Sequence, residues 1–325
     1  MLKEEIKYQD VTEKFEKDRR YEEFIEAFNN HLEPFEQEHY RELEETLPSV
    51  HVIGVPRSGT TLLTQLIYSH LDVGYINNLI ARFWKAPVSA IRISKKLLGD
   101  NYSSTLSSDY GKTEKIYEPN EFNYLWYDLL SYDTHYQKTE EQAKDIDWER
   151  VGRTLKNMLW AYEKPIAFKS FMLGWHARRM QKTLNKTCFV WIKRAPIDTA
   201  LSLLDLRRSL FGTVDRWASF KPQNFEQLRD LTPWEQVAGQ VYYLEKAYHK
   251  QIDQLPESNY LVLQYEDVCR DPLETITAIK SLINNNGAEV HLTADDPSPQ
   301  QPSKKKGDDY AEYEKVCEAL DLLYK

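Results

Sequence analysis

The chain has 325 residues, 41% of them hydrophobic and 13% aromatic, with a formal net charge of −9. That size holds one large α/β domain or two small ones, with a sizeable core. The acidic balance excludes a general nucleic-acid binder, so an anionic ligand needs a local basic site.

The N-terminus lacks the apolar stretch of a signal peptide, and no run is long and uncharged enough to span a bilayer. Three cysteines, Cys188, Cys269 and Cys317, show no metal-ligand spacing and point to a reducing compartment. A soluble, cytoplasmic protein is the expectation. Residues 1–47 are rich in Glu, Lys and Arg, with Phe15, Tyr21, Phe24, Ile25 and Phe28 near helical spacing. They predict one or two amphipathic helices packed on the domain. The apolar run Val50–Val55 predicts a buried strand, broken at Pro56, Ser58 and Gly59 and followed by a helix over Thr60–His70. Residues 76–98 read as helix interrupted by Pro87, and 99–115 as loop. Helices are predicted over Phe122–Leu130 and Asp147–Tyr162, the latter with Val151, Leu155, Met158 and Leu159 on one side. Strands Pro165–Lys169, Thr187–Ile192 and Tyr260–Gln264 then alternate with helices. The helices cover Trp175–Leu184, Pro196–Leu210, Pro233–Leu255 and a segment opened by Asp271-Pro272. Residues 294–309 read as a surface loop before a last helix. The alternation predicts an α/β fold with a mostly parallel central sheet flanked by helices. We expect a single domain over 1–325, with a helical insertion at 76–162 between the first two core strands.

Strand, glycine turn and helix together make a phosphate cradle of backbone N–H groups and helix dipole. Gly54 and Gly59 have the spacing of the nucleotide-binding P-loop, but Thr60-Thr61 stands where a hydrolase needs Lys-Ser/Thr. The missing lysine weighs against ATP or GTP hydrolysis. Arg57, Ser58, Gly59, Thr60, Thr61 and Leu62 still offer backbone donors, hydroxyls and one fixed positive charge. A second anchor is Arg194, at the carboxyl end of a strand, where ligands meet open α/β sheets. Ser202 follows two helical turns later. Asp198 between them is explained by the helix N-terminus alone.

Pro56-Arg-Ser-Gly-Thr-Thr-Leu-Leu63 resembles the 5′-phosphosulfate loop of sulfotransferases, which use 3′-phosphoadenosine-5′-phosphosulfate (PAPS). Arg194-Ala-Pro-Ile-Asp198 leading to Ser202 is similar to their 3′-phosphate motif. Tyr265-Glu266-Asp267 resembles a stretch common in the family, which implies Tyr265 beside the adenine. Ser303-Lys304-Lys305-Lys306-Gly307 resembles the basic loop that closes over the 3′-phosphate; the plain alternative is a solvated lysine tip. The resemblance is to bacterial-type soluble sulfotransferases with a P-loop-kinase-like fold, and it covers Val50 to Gly307.

It implies in-line transfer of a sulfuryl group from PAPS to an acceptor hydroxyl or amine, with Arg57 and Lys169 stabilising charge. The expected base is missing. Phe171 stands where cytosolic relatives place histidine, and Asn78 where tyrosine-directed relatives place glutamate. Tyr117-Glu118-Pro-Asn-Glu121-Phe resembles a bacterial Glu-Pro-x-Glu-Phe stretch, making Glu121 the first candidate, Glu118 the second and His176 a third. Residues 75–136 are expected to line the pocket of a small-molecule, glycan or lipid-like acceptor. There Phe83, Trp84, Tyr124 and Trp126 either stack on it or fill core. Two alternatives stay open: a P-loop nucleotide kinase, and a degenerate member that binds nucleotide without catalysis.

Overall fold

Five parallel strands carry the architecture, in the order β2-β3-β1-β4-β5. The computed structural model describes residues 10–99, 115–293, 297–305 and 310–325. Strand β1 (Ser49–Ile53) is central and wholly buried, which explains its mostly apolar composition. It pairs with β3 (Ile166–Lys169) through Val50 and Ala167, and with β4 (Cys188–Lys193) through Val52 and Val190. Strand β5 (Tyr260–Gln264) closes one edge.

The other edge is β2 (Gly74–Tyr75), which no apolar run announces. A Cβ on Gly74 would lie 2.6 Å from the Tyr162 ring, so only glycine lets the strand approach so closely. The helical insertion therefore begins after this edge strand, and not directly after the first core unit. One exception to the apolar rule sits in β1. His51 shares hydrogen bonds of 3.1 Å with Ser49 Oγ and Ser170 Oγ and stacks on Phe168. Burial pushes its pKa down to about 3.

Helix α1 (Arg19–Glu38) precedes β1, and α2 (Thr60–His70) follows it. Helix α1 packs one face on the domain as expected, but that face carries Glu22, Ile25, Asn29 and Glu36, while Tyr21, Phe24 and Phe28 remain exposed. The reason lies in α3 (Pro87–Leu98), whose first N–H groups need acceptors. Glu36 accepts from Val88 N–H and Ser89 Oγ, each at 2.6 Å. Pro87 opens this helix at its first turn and interrupts nothing.

Helices α4 (Asn123–Leu129) and α5 (Trp148–Tyr162) complete the insertion. The helix expected over Trp175–Leu184 is α7 (Ala177–Thr183), and a short unexpected helix, α6 (Phe171–Gly174), precedes it, separated from it by Trp175 and His176. Next come α8 (Pro196–Phe211), α9 (Phe225–Leu228) and α10 (Pro233–Ile252), which opens on a capping box of Thr232 and Glu235. Helices α11 (Tyr265–Arg270), α12 (Pro272–Asn285) and α13 (Tyr313–Tyr324) follow β5. Two apolar clusters form the core: Leu63, Leu66 and Ile279 belong to one, Phe168, Leu203 and Leu244 to the other. The loop expected over 99–115 and the end of the lysine stretch fall mainly outside the described residues. Among those described, no helix is long and apolar enough to cross a membrane.

Candidate active site

The carboxyl ends of β1, β3 and β4 open into a cavity of about 390 Å³. Its first wall is the loop between β1 and α2. Pro56 and Arg57 occupy the middle of a turn closed by Ser58 N–H donating to Val55 C=O at 3.0 Å. With proline at its second position, such a turn is of type II when its third residue has positive φ. Arg57 adopts φ +77°, and Arg194 Nη1 donates to its carbonyl at 3.0 Å. Gly59 follows at φ +100°, where a Cβ would lie 2.4 Å from the Tyr265 ring. Glycine here meets both a backbone and a packing demand.

Leu63 N–H makes the first bond of α2, to Gly59 C=O at 3.1 Å. The N–H groups of Thr60, Thr61 and Leu62 precede it and have no intrahelical acceptor. These three residues line the cavity together with Arg57 and Gly59. Ser58 does not: its hydroxyl is buried on the sheet side, 2.5 Å from where a Gly54 Cβ would stand.

Lys169, the last residue of β3, is nearly buried. Its Nζ donates to Thr61 Oγ1 at 2.8 Å and forms a short ion pair with Glu121. Sequence reasoning let Arg57 replace the missing lysine of the loop. Lys169, the second cation expected from the sequence, is delivered from the neighbouring strand. Glu121 also accepts from Asn123 Nδ2 at 2.9 Å, so both carboxylate oxygens are engaged.

The opposite wall holds the second anchor. Arg57 Nε donates to Ser202 Oγ at 3.1 Å, and Arg194 lies over the Tyr265 ring, 4.7 Å from its centroid. Tyr265 opens α11 directly after β5, and its hydroxyl accepts from Ser303 N–H at 3.2 Å. Arg194 Nη2 donates to Ser303 C=O. Lys305 N–H donates to Asp198 at 2.6 Å and its Nζ pairs with Asp205 at 2.8 Å. Asp198 thus does more than greet a helix N-terminus, since it tethers the lysine stretch. Lys305 lines the cavity; Lys304 is exposed outside it, and Lys306 and Gly307 lie outside the described residues.

Two sequence-based candidates for the base are not brought here. Glu118 is buried under the turn at Lys115, whose N–H it accepts at 3.1 Å. His176 faces a different cavity because the extra turn of α6 carries it past the strand ends. There it shares a 2.9 Å hydrogen bond with the Tyr132 hydroxyl, and burial pushes its pKa down to about 4. Asn78 holds the Asn120 amide at 2.7 Å and does not line the cavity. None of Phe83, Trp84, Tyr124 and Trp126 lines it either, and Trp84 and Trp126 are core.

His135 is the lining residue that sequence reasoning missed. It shares a 2.6 Å hydrogen bond with the Tyr127 hydroxyl and packs edge-on against Phe220. Burial first, then Lys221 and Lys17, push its pKa down to about 4. A lone histidine in an irregular stretch carries no periodic signal. Only the proximity of Tyr127, eight residues earlier, hinted at a pair.

The sulfotransferase family profile matches residues 48–284. Among solved structures, sulfotransferase STF1 from Mycobacterium tuberculosis is 14% identical with a TM-score of 0.50, covering 80% of this chain and 72% of its own. Sulfotransferase STF9 from Mycobacterium avium is 15% identical with a TM-score of 0.49, covering 82% and 70%. A sulfotransferase from Alicyclobacillus acidocaldarius is 13% identical with a TM-score of 0.40, covering 86% and 96%. No curated protein matches the chain. The profile spans well over half of the sequence, from the residue before β1 to the end of α12, and the chain belongs to the sulfotransferase family.

Proposed function

We propose that the protein transfers a sulfuryl group from PAPS to a hydroxyl or amine of a small organic, glycan or lipid-like acceptor. The observation that carries this reading is the meeting of two anion-suited stretches in one cavity, with Arg57 bonded to both Ser202 and Arg194. The residues suit the donor. Arg194 Nε is buried with no acceptor among the described residues, and the first turn of α2 offers further N–H donors. PAPS, when bound, supplies an activated sulfuryl group with a phosphate as leaving group.

Arg57, Thr60, Thr61 and the N–H groups of α2 hold the 5′ end. Arg194, Ser202 and Lys305 hold the 3′-phosphate, and Tyr265 borders the base. Lys169, bonded to Thr61 Oγ1, neutralises charge that develops on the leaving oxygen. Glu121 takes the proton of the acceptor. His135 in the same cavity is a second group able to do so, in the tautomer whose Nδ1–H donates to Tyr127 and leaves Nε2 as acceptor.

The kinase reading lacks support at Thr60, where no lysine stands. Calorimetric titration with 3′-phosphoadenosine-5′-phosphate (PAP) and with ATP–Mg²⁺, followed by turnover of PAPS over an acceptor panel, tests the proposal. Tight PAP binding and sulfated product are expected. Binding of ATP–Mg²⁺ alone would overturn the reading, and PAP binding without product on any acceptor would favour the non-catalytic alternative.

A further inference from the structure

A second cavity, of about 530 Å³, lies between α7, α10 and the segment around residues 137–144. Its volume falls in the range of about 300–1,000 Å³ typical of small-molecule sites. Seven Lys or Arg residues line it against one carboxylate, Glu140. Helical spacing explains the concentration. Helix α7 sets Arg178 and Lys182 one turn apart with Arg179 beside them, and α10 sets Lys246 and Lys250 one turn apart. The other side of α10, with Val237, Val241, Leu244 and Tyr248, is buried in the core.

Two acidic side chains nearby already hold lysines of the cavity. Glu140 pairs with Lys250 at 2.8 Å and Glu141 with Lys144 at 2.5 Å. Lys138, Arg178, Arg179, Lys182 and Lys246 form no ion pair among the described residues. The cavity floor includes Trp175, 3% exposed, whose indole N–H has no acceptor among the described residues. His176 beside it is buried with one nitrogen held by Tyr132. Burial pushes the Lys138 ammonium below its ordinary pKa, with Asp133 and Asp145 opposing.

Like charges gathered in one concavity repel each other, and a chain of net charge −9 has ample acid to neutralise them elsewhere on its surface. We propose that this cavity is a second anion site, taking a small molecule with two or more phosphate or sulfate groups. Arginine forks on α7 match oxyanion geometry, the lysines of α10 add charge from the facing wall, and Trp175 lends an apolar floor. The site does not depend on the sulfuryl-transfer reading.

Calorimetry with inorganic triphosphate and with a fully sulfated disaccharide tests it, using the full chain and the Arg194→Ala variant, which removes the anchor of the first cavity. Saturable binding of one probe is expected in both proteins. The Arg178→Glu/Arg179→Glu variant should bind at least tenfold more weakly, and Lys246→Glu on the opposite helix should repeat the loss. All three positions are exposed, so thermal unfolding should be unchanged. Preference for triphosphate or for the disaccharide assigns the phosphate or sulfate source. The proposal is overturned if neither probe saturates, if the charge-reversed variants bind as well as the parent, or if Arg194→Ala abolishes binding. Binding only of a single-stranded oligonucleotide overturns it too. No readout uses sulfuryl transfer, so this site and the proposed activity fail separately.

Discussion

Arg57 Nε and Ser202 Oγ meet at 3.1 Å across 145 residues of sequence, joining the loop after β1 to the second turn of α8. Hydrogen bonds to charged groups contribute about 1.5–3 kcal/mol each. Arg57→Ala should therefore weaken PAP binding by about 10- to 100-fold. Ser202→Ala should cost less, because the arginine keeps its charge. Calorimetric titration of both variants checks the order.

Lys169 touches Thr61 and Glu121 at once, and each substitution should separate a different step. Lys169→Met should lower kcat by at least about 100-fold, as expected for loss of a preorganised charge at a leaving group. Glu121→Gln should abolish transfer and leave PAP affinity within a few-fold. Single-turnover kinetics beside binding data distinguish the two. Unaltered turnover of Glu121→Gln would remove it as base.

His135 supplies the complementary test. With its pKa pushed down to about 4, the imidazole is neutral at pH 7 but a weak base. An anionic donor in the same cavity would raise that value. His135→Asn should shift the acid limb of the pH profile of kcat and lower the rate. If it abolishes turnover while Glu121→Gln does not, the base is His135.

Gly59 is fixed by two demands, and a double variant can split them. Gly59→Ala places a methyl 2.4 Å from the Tyr265 ring at φ +100°. It should destabilise the fold by about 1–3 kcal/mol and reduce PAP binding. Adding Tyr265→Ala should recover part of the stability and none of the affinity. Urea denaturation measures the first, and PAP titration the second.

His51 ties stability to pH. Its pKa is lowered from the ordinary 6.5 to about 3 in the folded chain, so the unfolded chain binds the extra proton between those values. Stability is full above about pH 6.5 and is lost progressively as pH falls toward 3. His135 and His176, depressed to about 4, act in the same direction. Thermal unfolding between pH 7 and 4 should show a falling Tm. The slope should be shallower in His51→Gln, which can still hydrogen-bond to both serines.

The alternation of apolar strands and helices was legible; α2 matches its expected bounds because Gly59 marks its start, and β5 because it is a short apolar run between polar segments. Strand β2 was not, since two residues carry no period and their pairing depends on the distant Tyr162. For the candidate site, Arg57, Lys169, Glu121, Arg194 and Ser202 reach one cavity because each sits at a strand end or in the helix or turn beside one. Glu118 and Glu121 are three residues apart, and the turn at Lys115–Glu118 with the bridge from Pro119 to Asn77 decides which enters. His135 depends on Phe220, 85 positions away as 220 less 135, and no local pattern could show that. The aromatic residues of α1 misled for a related reason: the packed face of the helix includes Glu36, whose partners Val88 and Ser89 lie 52 and 53 positions away.

Arg194 already holds a ligand of a kind, the chain's own Ser303 carbonyl, while Asp198 holds the Lys305 amide two residues on. A phosphate arriving at Arg194 meets a competitor built into the polypeptide. Donor binding on this geometry is an exchange of acceptors, and its measured affinity is a difference between two sets of bonds. On the proposed reading, departure of the spent nucleotide would be helped in turn, because the chain can retake the arginine as the phosphate leaves.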